Sequence, residues 1–437
     1  MEQVLLADIL SRSAALIVGI FLLIATTVSL LRTVVVPRAL RSSISDAVAV
    51  TVVWTAIRIA RMRRDYLKRD GVLAWTGSII IIAQLVTWIL LYLLAYALLL
   101  RGVGGLSFFD AFREAGSSLF TLGFASVSTE NQTAIDFLAA ATGPVVIALM
   151  IGFLPNIYST YIEREVVVTA LSATGGEPAW GPELLSRFAL AGSLDALPRV
   201  FDEWALWATR LRLTHVTYPV LVWVRSVRAT RHYVVSLLAV LDAAALRLAL
   251  APNGSRGSDF ALLLEGGQAM EVLYTFLFAR RRRGSRLGFR GRFTGEPERL
   301  QEAVRRLPAW DRSFMAIQVA SDMDIVNGLD DAAMHALMKG EDRPLQLTRA
   351  DFDHAVDVLR RSGFPIERDL DEAWEQFRVA RARYEFAAYE VCRRLDATPA
   401  PWSGPRNIET PTMWPTLAVD IMPTLDLGQD DAAKDDQ

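Results

Sequence analysis

This chain of 437 residues predicts an all-α membrane protein, and three observations carry the prediction. First, three charge-free apolar runs occupy residues 13–31, 72–100 and 137–162, with lengths of 19, 29 and 26 residues. A span needs about 20 mainly apolar residues to cross roughly 30 Å of hydrocarbon, so all three qualify. Second, no run alternates apolar and polar residues with the period of two that marks strands. Third, residues 101–136, between the second and third runs, are patterned as a short helix followed by a glycine-containing turn. Non-helical backbone at membrane depth is tolerated only inside protein or beside water, so such a segment needs a functional reason.

The first run lacks a basic leader and a small-residue cleavage site, so it is expected to remain as an uncleaved span. Nine basic residues separate it from the second run: Arg32, Arg38, Arg41, Arg58, Arg61, Arg63, Arg64, Lys68 and Arg69. The positive-inside rule makes that loop cytoplasmic, the N-terminus external, residues 101–136 external and everything after 162 cytoplasmic. Residues 47–57 form an uncharged run of 11, too short for a span. With the basic stretch that follows, they predict a helix lying in the interface. At 29 residues the second span is too long to stand upright, so tilt is expected. The expected setting is a bacterial-type inner membrane.

The segment 101–136 is the informative one. Ser107 and Asp110 have the spacing of an N-terminal capping pair. Phe108, Phe112, Ala115 and Leu119 then recur at helical spacing, predicting a helix from 108 to about 120. Its length would be roughly 18–20 Å, about half a bilayer. The C-terminal end of such a helix carries about half a negative charge and favours a cation there. Thr121, Leu122, Gly123 and Phe124 follow it directly.

Residues 72–162 resemble the two-transmembrane pore module of the potassium-channel superfamily, in the order outer helix, pore helix, filter, inner helix. The filter of that family reads T-V-G-Y-G or T-x-G-F-G and is usually followed by Asp. Thr121, Leu122, Gly123 and Phe124 match its first four positions, while Ala125 replaces the last glycine and Ser126 the acid. The resemblance implies a homotetramer whose filter carbonyls and Thr121 hydroxyl replace the hydration shell of a monovalent cation, potassium in the family. It also implies positive φ at residue 125, where alanine would cost about 1 kcal/mol per subunit and could reshape the outer ion site. The residues alone leave a second reading open, a tight loop between two anchors with Gly123 as a turn residue.

Charge and glycine placement extend the pore expectation. Residues 101–136 carry Arg101 and Arg113 against Asp110, Glu114, Glu130 and Asp136, a net of −2 that fourfold assembly would multiply. Glu130 and Asp136 are candidates for an outer-mouth ring that concentrates cations. Arg113 is placed to pair with Asp110 within the short helix. In the third run, Gly152 and Pro155 are hinge candidates, and Gly143-Pro144 reads as helix packing.

Residues 163–396 read as a helical cytoplasmic domain. Within it, 230–250 is apolar but contains Arg231, Asp242 and Arg247, the pattern of a buried helix in a soluble core. Thr348 and Asp351 form a second capping pair, starting a helix that stops at Ser362-Gly363. A long helical pattern covers 366–395, and 397–437 reads as a disordered acidic tail. The domains expected are therefore 1–70, 71–162, 163–396 and 397–437. No Rossmann fingerprint, P-loop or H-E-x-x-H zinc motif occurs, His215, His232, His335 and His354 are scattered, and Cys392 stands alone. Neither an enzyme nor a cofactor nor a resident metal is expected. The cluster Arg280, Arg281, Arg282 and Arg283 is a candidate contact for anionic lipid or another anion, and nucleic acid is not an expected partner. The function predicted is passive cation conduction. The alternative is a non-conducting, membrane-anchored helical scaffold or sensor.

Overall fold

The computed structural model describes residues 2–36, 42–125, 130–253, 256–278 and 346–406, together with residues 413 and 420. Among the described residues every regular element is helical. The chain divides into two units, Met1–Glu163 with Thr214–Arg225, and Arg164–Leu213 with Ser226–Gln437.

The first unit is built on α1 (Glu2–Leu30), α2 (Ser43–Arg61), α3 (Tyr66–Leu73), α4 (Thr76–Gly104), α5 (Phe108–Leu119) and α6 (Glu130–Gly175) as far as Glu163. Polar side chains on otherwise apolar helices set the pairing. Trp88 donates to Ser29 Oγ at 3.0 Å, Tyr92 to Thr27 Oγ1 at 3.0 Å, and Arg12 to the Val103 carbonyl at 3.1 Å. Contacts running 29–88, 27–92 and 12–103 make α1 antiparallel to α4. Tyr96 in turn bonds to Thr142 Oγ1 at 2.6 Å, and Gly104 abuts Gln132, so α6 is antiparallel to α4 as well. In an apolar setting such hydrogen bonds are the directional part of helix association.

Among the described residues five helices are long and apolar enough to cross a membrane, against three expected. The two additions are α2, which at 19 residues extends well beyond the uncharged run 47–57, and Tyr233–Leu250. Ser42 and Ser45 at the start of α2 bond to Ser29 and Thr33, level with Trp88, while Ala56 and Ala60 near its end pack on Leu73. Helix α2 therefore accompanies only the Thr76 half of α4.

Thr214–Arg225, which sequence alone assigns to the cytoplasmic domain, belongs to this first unit. Val220 and Leu221 enter its apolar core, and Tyr218 meets Phe153 edge-on at 5.8 Å. The Arg225 guanidinium pairs with the Asp70 carboxylate and donates to the Tyr66 hydroxyl at 2.8 Å.

The second unit holds α7 (Gly181–Leu190), most of α8 (Leu197–Thr217), α9 (Tyr233–Leu250), α10 (Gly257–Phe278), α11 (Arg349–Arg361), α12 (Leu370–Ala382) and α13 (Glu385–Leu395). Helix α9 is its axis, surrounded by α7, α10, α12 and α13 and buried along nearly its whole length. Asp242 on α9 pairs with Arg381, which also reaches Glu385 at 3.1 Å, the Tyr389 hydroxyl at 3.1 Å and the Trp402 carbonyl at 2.8 Å. Burial pushes the Asp242 carboxyl up to about 6, with the Arg381 guanidinium opposing the shift. The Thr348–Asp351 capping box is present, and α11 ends at Ser362 before Gly363 with φ +76°. Two expectations need correction. The pattern 366–395 breaks into α12 and α13 at Arg383 and Tyr384, where no glycine or proline announces a stop. Residues 397–406 are packed rather than a loose tail: Ala397, Thr398 and Ser403 are buried, because Trp402 stacks on Arg381 while accepting its hydrogen bond.

Candidate functional site

Helix α5 and the turn after it form the site, and neighbouring helices measure its depth. Gly116 contacts Leu93, eleven residues along α4 from Gly104, and Gly143 on α6 meets the Leu119 carbonyl eleven residues beyond Gln132. At 1.5 Å per residue, both measures put the C-terminal end of α5 about 16 Å from the Gly104–Gln132 end of the helix pair. A Cβ at Gly143 would lie 2.0 Å from the Leu119 oxygen, so this position demands glycine. Its partner Pro144 follows inside a continuous α6.

The start of α5 is capped as its sequence implies: Ser107 Oγ accepts from the Asp110 amide at 3.2 Å and donates to the Asp110 carboxylate at 2.7 Å. With its carboxylate so engaged, Asp110 forms no ion pair with Arg113. The Arg113 guanidinium instead lies 5.4 Å from the Phe124 ring centre, a cation–π contact between α5 and the turn.

After Leu119 the backbone folds over the end of α5. The amides of Leu122 and Gly123 donate to the Ser117 carbonyl at 2.7 and 3.4 Å, and those of Phe124 and Ala125 to Ser117 Oγ at 3.0 and 3.2 Å. One serine thus satisfies four consecutive N–H groups. The carbonyl oxygens of Thr121, Leu122, Gly123, Phe124 and Ala125 accept no hydrogen bond from any described residue. Thr121, Leu122, Gly123 and Phe124 are also exposed. Thr121 takes φ +54° and Gly123 φ +70°, so left-handed residues alternate with right-handed or extended ones through the turn. Ala125 is not left-handed, and the strain expected there is absent. The alternation falls one step earlier, at Thr121. Ser126 lies outside the described residues.

The two carboxylates expected at an outer mouth part company. Glu130, the first residue of α6, is exposed. Asp136 is buried: it accepts from Ser118 Oγ at 2.6 Å and lies beside the Glu114 carboxyl, bracing α5 against α6, because the second turn of α6 faces the short helix. Gly152 and Pro155 both lie within α6, and a Cβ at Gly152 would meet nothing within 4 Å. The cluster Arg280, Arg281, Arg282 and Arg283 lies outside the described residues, as does His335. No group of three or more His, Cys, Asp or Glu side chains among the described residues could hold a metal ion.

Sequence reasoning missed Ser117. Its only signal was a hydroxyl in the last turn of a short helix, where a side-chain oxygen can capture backbone amides that follow. Comparison with protein-family models, curated proteins and solved structures found no match.

Proposed function

We propose that this chain is a subunit of a passive cation channel whose filter comprises Thr121, Leu122, Gly123, Phe124 and Ala125. One observation carries the reading: the amides of Leu122, Gly123, Phe124 and Ala125 are spent inward on Ser117, while no described residue donates to the carbonyls of the turn. Carbonyl oxygens so released are the ligands that replace water around a permeating ion. A helix ending about 16 Å deep lies near the middle of a hydrocarbon layer of roughly 30 Å, with its negative end toward the ion. Assembly as a homotetramer would surround the axis with four such turns. It would also cover the apolar side chains that one chain leaves exposed on α5 and α6, among them Phe109 at 83% and Phe137 at 72%. The basic loop before α4 orients the pore, placing the Gly104–Gln132 end outside and the second unit in the cytoplasm. Potassium is the expected ion, and Gly152 and Pro155 are the candidate hinge in the inner helix.

The test is single-channel recording of the purified chain in planar bilayers, with potassium on one side and sodium on the other. Discrete cation currents are expected. Gly123→Val should abolish them without blocking membrane insertion, since a branched side chain resists φ near +70°. Full currents in that variant would remove Gly123 from any filter. A silent wild-type chain that is monomeric or dimeric by mass would leave the anchored scaffold as the function.

A further inference from the structure

The basic stretch between α2 and α4, which signals topology and an interfacial helix in the sequence, also lines a cavity. Arg63, Lys68, Gly71, Val72, Trp75 and Ile79 bound a shallow cavity of about 500 Å³ that is largely open to its surroundings. Among the described residues neither Arg63 nor Lys68 makes an ion pair, and both are exposed. The carboxylates nearest in sequence are committed elsewhere. Asp65 accepts from the Leu67 amide at the start of α3, and Asp70 is held by Arg225. Two like charges on one cavity wall repel, and an anion between them removes that cost while accepting charge-assisted hydrogen bonds from both.

A second observation says what kind of anion. Trp75 and Ile79 in the cavity wall begin a stripe that continues along α4 through Ile82, Val86 and Leu90, at steps of three and four residues. All five are exposed, between 44% and 67%. Steps of that size keep side chains on one face of a helix, and fifteen residues of helix cover about 22 Å. This is an apolar strip as long as a fatty acyl chain, beginning where the cationic cavity ends. Trp75 at the junction is the residue type that favours the boundary between headgroups and hydrocarbon.

We propose that the cavity binds the phosphate of an anionic phospholipid whose acyl chain lies along the α4 stripe. The site does not depend on whether the chain conducts ions. Its substance is a fixed phosphate position, in contrast to the diffuse attraction that any basic loop exerts on an anionic surface.

Native mass spectrometry of the full chain, released from mixed micelles holding equal amounts of phosphatidylglycerol and phosphatidylcholine, tests this. Retention of phosphatidylglycerol in preference to phosphatidylcholine is expected. Arg63→Gln with Lys68→Gln should weaken that preference roughly thirtyfold, the loss of two interfacial cations. Gly71→Leu should weaken it as well while leaving both charges in place. A Cβ at Gly71 meets nothing within 4 Å, so the new side chain fills the cavity without disturbing the fold. Equal retention of the two lipids would overturn the proposal, as would an unaltered preference in Gly71→Leu. Displacement of the lipid by millimolar inorganic phosphate would make the site one for free phosphate. A change in subunit number rather than lipid number in the variants would make the stripe a contact between copies. Either result would sink the lipid assignment.

Discussion

Helices α4 and α9 look alike by hydropathy and live in opposite surroundings. Both pass as candidate spans, but about a third of the most apolar window of α4 is buried, against almost nine tenths for α9. The difference lies in what interrupts the apolar residues. Within the apolar stretch of α4 the interruptions are neutral, among them Gln84, Trp88, Tyr92 and Tyr96, and the last three find hydroxyl partners on α1 or α6. Helix α9 carries Asp242 and Arg247, each ion-paired, with Arg381 and Asp259. A neutral polar group can be satisfied by one neighbouring hydroxyl, whereas a buried charge requires a built pocket. Apolar composition therefore fails to separate a helix facing lipid from one facing protein, and the charge state of its polar residues succeeds.

The largest predicted effect comes from breaking the α9 side of that comparison. Arg381→Met strands Asp242 and Glu385 as buried, unpaired carboxylates, and should destabilise the second unit by about 3–5 kcal/mol. Thiol labelling under increasing urea offers a readout, because Cys392 is fully buried and burial pushes its thiol pKa up. Labelling should begin at markedly lower urea in the variant. An unchanged labelling profile would mean that the Arg381 network is not what holds α9.

A smaller effect sharpens the contrast within the first unit, where packing takes the place of charge. Gly143→Ala drives a methyl into the Leu119 carbonyl and should cost about 1–3 kcal/mol as overpacking. Gly152→Ala on the same helix meets open space, so it should be neutral or stabilising by up to about 1 kcal/mol. Melting temperatures of the two variants in one detergent give the comparison. Equal shifts would show that α5 does not seat against α6 at Gly143.

A third effect is one of pH. With its folded pKa near 6, above the ordinary value of 3.8, Asp242 binds a proton more tightly in the folded chain. Its contribution to stability is therefore largest below pH 4, declines as pH rises to about 6, and is level above that. Asp242→Asn should remove the decline. A wild-type melting profile without a downward component between pH 4 and 6 would contradict this assignment.

Local features were legible in the sequence, and distant ones were not. Ser107 with Asp110 and Thr348 with Asp351 announce two helix starts because capping is chemistry over three residues. Asp242 marks α9 as a core helix for the reason given above. The turn at Thr121 could be located, but its hydrogen bonding to Ser117 depends on how the chain doubles back. The link from Asp70 to Arg225 spans 155 residues, and no local pattern foretells it. The break between α12 and α13 and the packing of 397–406 follow from the Arg381 network, which chooses backbone geometry from outside each segment.

That return of Thr214–Arg225 to the first unit also has a consequence for biosynthesis. Chains grow at about 5–20 residues per second, so roughly 8–30 s separate the synthesis of Asp70 from that of Arg225. Throughout this interval α3 and the start of α4 exist without the guanidinium that neutralises Asp70, and Gly77 lacks the Val224 side chain that packs on it. A chain stopped at residue 163 would hold α1 to α5 and the first-unit part of α6 yet remain at that unfinished stage. The unit is closed by a segment made only after the ribosome has begun the second one.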